Sequence, residues 1–122
     1  FPYTTLFRSE RSLAIRERAF GPDHPQVASA LSNLGRIVHR QGDLGEAMTL
    51  LEAALVIRER ALGPTHPLVA STLGSLGDIA REGGELDQAR AYYERALAIE
   101  EPSLGSDHPD VAKARARLAE LP

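Results

Sequence analysis

Gly63-Pro64-Thr65-His66-Pro67-Leu68-Val69-Ala70-Ser71 is the stretch on which the reading of this chain turns, because most of it returns at a fixed distance. The His-Pro pair occurs at 24–25, 66–67 and 108–109, each step being 42 residues. Val69-Ala70-Ser71 is matched by Val27-Ala28-Ser29 upstream and by Val111-Ala112-Lys113 downstream, and Ile57-Arg58-Glu59-Arg60-Ala61 by Ile15-Arg16-Glu17-Arg18-Ala19. Gly42 and Gly84, Ala47 and Ala89, and Ala54 and Ala96 keep the same offset. A pattern restated at constant spacing predicts stacked units that show their neighbours the same faces.

Each unit reads as two helices. The first starts at His-Pro, where proline suits the first helical position, and carries Val27, Leu31, Leu34 and Val38 at three- and four-residue spacing before stopping near Gly42. The second places Leu44, Ala47, Leu51, Ala54, Leu55 and Leu62 on one side. It is expected to end on Gly63 as a left-handed C′ residue, with Pro64 beyond. Gly35 and Gly77 fall inside helices, where glycine costs about 1 kcal/mol against alanine. Their recurrence implies a neighbour too close for a side chain, so valine at either position should overpack.

Composition narrows the function. The chain has 122 residues, 43% hydrophobic and 25% charged, which suits a folded polypeptide rather than a disordered one. No apolar run is long enough to cross a bilayer. With no cysteine there is no disulfide framework or thiolate site; the compartment stays open, the cytoplasm being favoured. A net charge of −3 argues against a phosphate-backbone binder, so neither nucleic acid nor membrane is an expected partner. Thirteen of the fourteen basic residues are arginine, Lys113 being the exception, a bias that suits a GC-rich, bacterial genome.

Little in the sequence suggests catalysis, and no catalytic, cofactor or metal site is expected. His24, His66 and His108 stand one repeat apart, too far for one metal ion whose ligands lie at about 2.0–2.1 Å, and are read as helix caps. Gly83-Gly84 lacks the phosphate-loop context, and no serine sits in a nucleophile elbow. Arg16, Glu17, Arg18, Arg58, Glu59 and Arg60 are read as solvated charges near second-helix ends. Tyr93 is assigned to the core and Tyr92 to the outer surface, while Pro102 is expected to end its helix a turn early or kink it.

Leu31, Leu34-Gly35, Val38, Ala47, Leu51 and Ala54, repeated as Leu73, Leu76-Gly77, Ala80, Ala89, Tyr93 and Ala96, together with the Gly-Pro-Thr-His-Pro linker, resemble the tetratricopeptide repeat in its 42-residue, kinesin-light-chain-like variety. The resemblance covers residues 10–122. It implies an all-α fold, a right-handed superhelical solenoid of antiparallel helix pairs. Residues 10–23 would be the second helix of a truncated repeat plus its linker, 24–65 and 66–107 two repeats, and 108–122 the first helix of another. Residues 1–9 resemble the in-frame translation of a sequencing adapter and are set aside, with the core pattern resuming by Leu13 and Ile15. The chain is then expected to be a fragment of a longer array.

The resemblance also implies a function: a protein-interaction scaffold that binds a peptide or protein segment along its first helices. Carried over by position, the groove residues are Ser29, Ser32, Asn33, Arg36, Arg40, Ser71, Gly74, Ser75, Asp78, Lys113 and Arg117. Helix period places Ser29, Ser32, Asn33 and Arg36 away from Leu31, Leu34 and Val38. Lys113 and Arg117 match the basic pair of the family's carboxylate clamp, whereas Ser32, Arg36 and Ser75 depart from the rest of it. The alternative is a sensor or oligomerisation arm of a larger regulatory protein such as a signalling NTPase. Val111, Leu118 and Leu121 are expected to lie uncovered on the last helix, giving self-association through it or fraying of 109–122.

Overall fold

The structure, a computed structural model, describes residues 2–122, and these form six helices with no strand. They fall into two compact units that divide after Gly63. The first holds α1 (Pro2–Phe20), α2 (Pro25–Arg40) and α3 (Leu44–Leu62); the second holds α4 (Pro67–Glu82), α5 (Leu86–Leu104) and α6 (Pro109–Glu120). Within each unit the middle helix packs on both of its neighbours. The short α2–α3 and α4–α5 turns make each pair an antiparallel hairpin.

The helices begin where the His-Pro steps put them. Nδ1 of His24, His66 and His108 accepts the backbone N–H of Gln26, Leu68 and Asp110, each at 3.1 Å, and proline follows at the first helical position. An Nδ1 that accepts leaves the proton of the neutral ring on Nε2. Asp43 caps α3 by accepting the Glu46 N–H at 3.1 Å, whereas Glu85 makes no side-chain cap on α5. Gly63 closes α3 with φ 95° and ψ 156°, and Gly105 closes α5 with φ 90° and ψ 155°. The expected left-handed conformation is thus replaced by an extended one at positive φ, which only glycine adopts without strain.

Both cores follow the apolar stripes. In the first unit Val27, Ala28, Leu31, Ala54 and Ile57 form one cluster, with Leu13 and Leu50 against it. In the second, Val69, Leu73, Leu76, Tyr93 and Val111 are fully buried, each side chain contributing roughly 1.5–3 kcal/mol of burial free energy. Gly35 and Gly77 are the close approaches expected: a Cβ there would sit 3.3 Å from Leu51 Cγ and 2.5 Å from Tyr93 Cε1 respectively.

Several expectations change. α5 runs through Pro102 to Leu104 and, at 19 residues, equals α3 in length. Proline two residues before the last residue of a helix removes only one donor to the preceding turn, too little to unwind it. Arg58 is buried rather than solvated, because it shares the stripe of Leu51, Ala54 and Leu55, and burial lowers its pKa. Ile15 is 57% exposed: Leu13 takes the core-facing position of α1, and two residues further on points roughly 200° round the helix. Val111 on α6 and Leu121 just beyond its end are buried and Leu118 is half-buried, so the apolar side chains expected to lie uncovered are at least partly covered. α1 continues without a break through residues 2–9, and Phe1 lies outside the described residues.

Candidate functional site

One turn of α4 after another presents Pro67, Ala70, Ser71, Gly74, Ser75 and Asp78 along a single stripe. α6 faces it with Asp110, Lys113, Ala114 and Arg117, again at three- and four-residue steps, and α5 closes the floor with Tyr93, Ala96, Glu100 and Leu104. Together they line a cavity of about 270 Å³. Small residues keep it open, since Ala70, Gly74, Ala96 and Ala114 put nothing larger than a methyl group between the helices.

A polar network crosses one end. The Tyr93 hydroxyl donates to Asp78 Oδ1 at 2.6 Å, and the Arg117 guanidinium reaches Asp78 Oδ2 at 3.3 Å while lying 5.8 Å from the Tyr93 ring centre. Gly74 leaves room for that guanidinium, because a Cβ would stand 3.3 Å from Arg117 Nη1. Arg81 adds a second cation, 4.0 Å from Asp78 and 3.4 Å from Glu120. Burial raises the Tyr93 pKa, and the hydrogen bond to Asp78 and its negative charge raise it further, against the opposing pull of Arg81 and Arg117. Tyr93 therefore stays a neutral donor. At the other end, burial and then the charge of Asp110 raise the Glu100 carboxyl, with Arg117 and His108 opposing.

Of the residues expected in a groove, Ser71, Gly74, Ser75, Asp78, Lys113 and Arg117 line this one cavity. Ser29, Ser32, Asn33, Arg36 and Arg40 belong to the first unit. There Asn33 Oδ1 accepts from Arg36 Nη2 at 2.5 Å, and both side chains and Arg40 are exposed. Ser29 turns its hydroxyl back to the Pro25 carbonyl at 3.3 Å, and the Ser32 Oγ is buried, with no hydrogen-bond partner among the described residues, instead of lying open. The sequence reading missed Tyr93 and Glu100 as cavity residues. The available signal was periodic: Tyr93, Ala96 and Glu100 share a stripe, and a carboxylate on a core stripe marks a place where the core opens.

The three histidine caps stay apart, and among the described residues no group of three His, Asp or Glu side chains could hold a metal ion. No described helix is long and apolar enough to cross a membrane.

The sequence profile of the tetratricopeptide repeat matches residues 8–55, 37–101 and 76–121. The chain belongs to the tetratricopeptide repeat family. Among solved structures, the nearly identical, kinesin-light-chain TPR-like repeats from Podosopora anserina are similar in fold, with TM-score 0.87 and 24% identity over 97% of this chain and 56% of that one. BtubC (BKLC) from P. vanneervenii aligns with TM-score 0.83 and 25% identity over 93% of this chain and 45% of that one. The chain thus spans about half the length of the solved structures it matches. No curated protein sequence matches it significantly. Tetratricopeptide repeats generally mediate protein–protein interaction.

Proposed function

We propose that the cavity between α4, α5 and α6 is a groove that binds an extended segment of a partner protein, and that the chain works as an interaction scaffold. One observation carries the reading: positions on two separate helices, carried over from the resemblance to the repeat family, line the same cavity. The groove has the features a peptide needs. Ser71 and Ser75 offer hydroxyls beside small residues that let a backbone approach, and Ala70, Ala96 and Leu104 offer apolar contact. Arg117 supports binding other than a carboxylate clamp, because its charge is already directed at Asp78. On the first unit, exposed Asn33, Arg36 and Arg40 form a second polar face suited to the same partner class.

The test is display of random peptides to the chain, followed by binding of the selected peptides to Ser75→Trp, which fills the groove from an exposed position. Loss of binding with unchanged helicity is the expected result. Unaltered binding would remove the groove. Replacing Asn33 and Arg36 together asks the same question of α2.

A further inference from the structure

We propose that the end of this groove where Glu100 and Asp110 meet Pro67 and Leu104 receives a lysine or arginine side chain, so that the bound segment is basic. The inference rests on the peptide-groove reading and deepens it by naming the chemistry of the partner.

The argument is one of charge complementarity within a cavity. At the Tyr93 end the charges answer one another: Asp78 faces Arg117 at 3.3 Å and Arg81 at 4.0 Å. At the far end they do not. Glu100 is half-buried and, among the described residues, makes no hydrogen bond or ion pair. Its neighbour Asp110 stands 3.9 Å from His108, but that ring accepts the Asp110 N–H through the same Nδ1 and offers no proton there. Lys113 is exposed and lies within ion-pair distance of neither carboxylate. Two carboxylates therefore line this end of the groove, one half-buried and one exposed, and burial first, then the charge of Asp110, raises the Glu100 carboxyl.

The walls fit the rest of a long cationic side chain. Leu104 is 40% exposed and Pro67 is exposed beside it, so a lysine or arginine stem can lie on apolar surface while its head reaches the acids. An acidic peptide would bring like charge against Glu100 and Asp110 and compete with Asp78 for Arg117.

The experiment uses the whole chain and an N-acetylated, C-amidated random nonapeptide library, so that terminal charges play no part. Lysine or arginine enriched at one position is expected, with the selected peptide bound about fivefold more weakly by Glu100→Gln and by Asp110→Asn, the effect of one ion pair. Circular dichroism checks each fold; Asp110 is exposed, and Asp110→Asn carries the test if Glu100→Gln unfolds. Selection of acidic peptides, or of basic peptides indifferent to both acid variants, overturns this assignment and leaves the groove standing, provided that Ser75→Trp abolishes their binding. Selection of nothing, or binding indifferent to Ser75→Trp, overturns both.

Discussion

The α2–α3 and α4–α5 hairpins have helices of equal length, matching caps on their first helices and a glycine at the same internal position, yet they differ at the residue that crosses that glycine. In α2–α3, Leu51 passes over Gly35; in α4–α5, Tyr93 passes over Gly77. Leucine ends in methyl groups. Tyrosine carries a hydroxyl past the glycine to Asp78, and Arg117 joins from α6. Where the second hairpin has Asp78, the first has Arg36, which turns to Asn33 on its own helix. A single core exchange thus accompanies a change in what the inner helix shows: a polar network tied to the core in one hairpin, a local surface pair in the other.

The comparison breaks most directly at the glycines. Gly77→Ala would place a Cβ 2.5–3.0 Å from three ring atoms of a tyrosine held by Asp78, so a loss of about 2–3 kcal/mol in urea unfolding is expected. Gly35→Ala meets the flexible side chain of Leu51 at 3.3 Å, and the helix-propensity gain of about 1 kcal/mol should offset that contact. Equal effects at the two positions would show that Tyr93 and Leu51 are equivalent packing residues.

Tyr93→Phe sharpens the same contrast with an expected loss of about 1–1.5 kcal/mol, the worth of a partly exposed bond to a charged acceptor. It also has a pH signature. The folded Tyr93 pKa is raised above the ordinary phenol value, so its contribution is complete below about pH 10 and declines at higher pH, where the unfolded phenol ionises first. Unfolding measured across this alkaline range should show a stability decline that Tyr93→Phe reduces. An identical alkaline slope in the variant would count against the network.

Smaller effects test the helix starts. His66→Ala should cost about 1 kcal/mol by leaving the Leu68 N–H without its acceptor, and His24→Ala about the same at Gln26. At the second-helix starts, Asp43 caps and Glu85 does not, so Glu85→Asp is expected to raise thermal stability by about 0.5 kcal/mol. No gain would mean that the longer acid already stabilises α5 through its charge.

Much of the architecture was legible because its determinants are local or periodic. His-Pro sets each first-helix start, glycine sets the ends, and three- and four-residue spacing names Val27, Leu31, Leu34 and Val38 before any coordinate does. The cavity residues of α4 and α6 were named by carrying positions over from the family resemblance rather than by period. The floor was not, since Tyr93 and Glu100 sit on a stripe that also builds the core, and periodicity alone does not say where along it the core ends. Arg58 was misjudged by its place near a helix end although its stripe is apolar, and Ile15 by analogy with Ile57, whose burial depends on α2.

The sequence by itself determined the repeat length, the first-helix starts with their histidine caps, and the two glycines that admit a crossing side chain, because each depends on backbone geometry within a few residues or on a period. Only the tertiary structure decided which charges meet. Whether Arg117 faces Asp78 or solvent, and whether Glu100 is left without a partner, depends on how α4, α5 and α6 approach, a separation of a few ångströms that residue spacing does not encode.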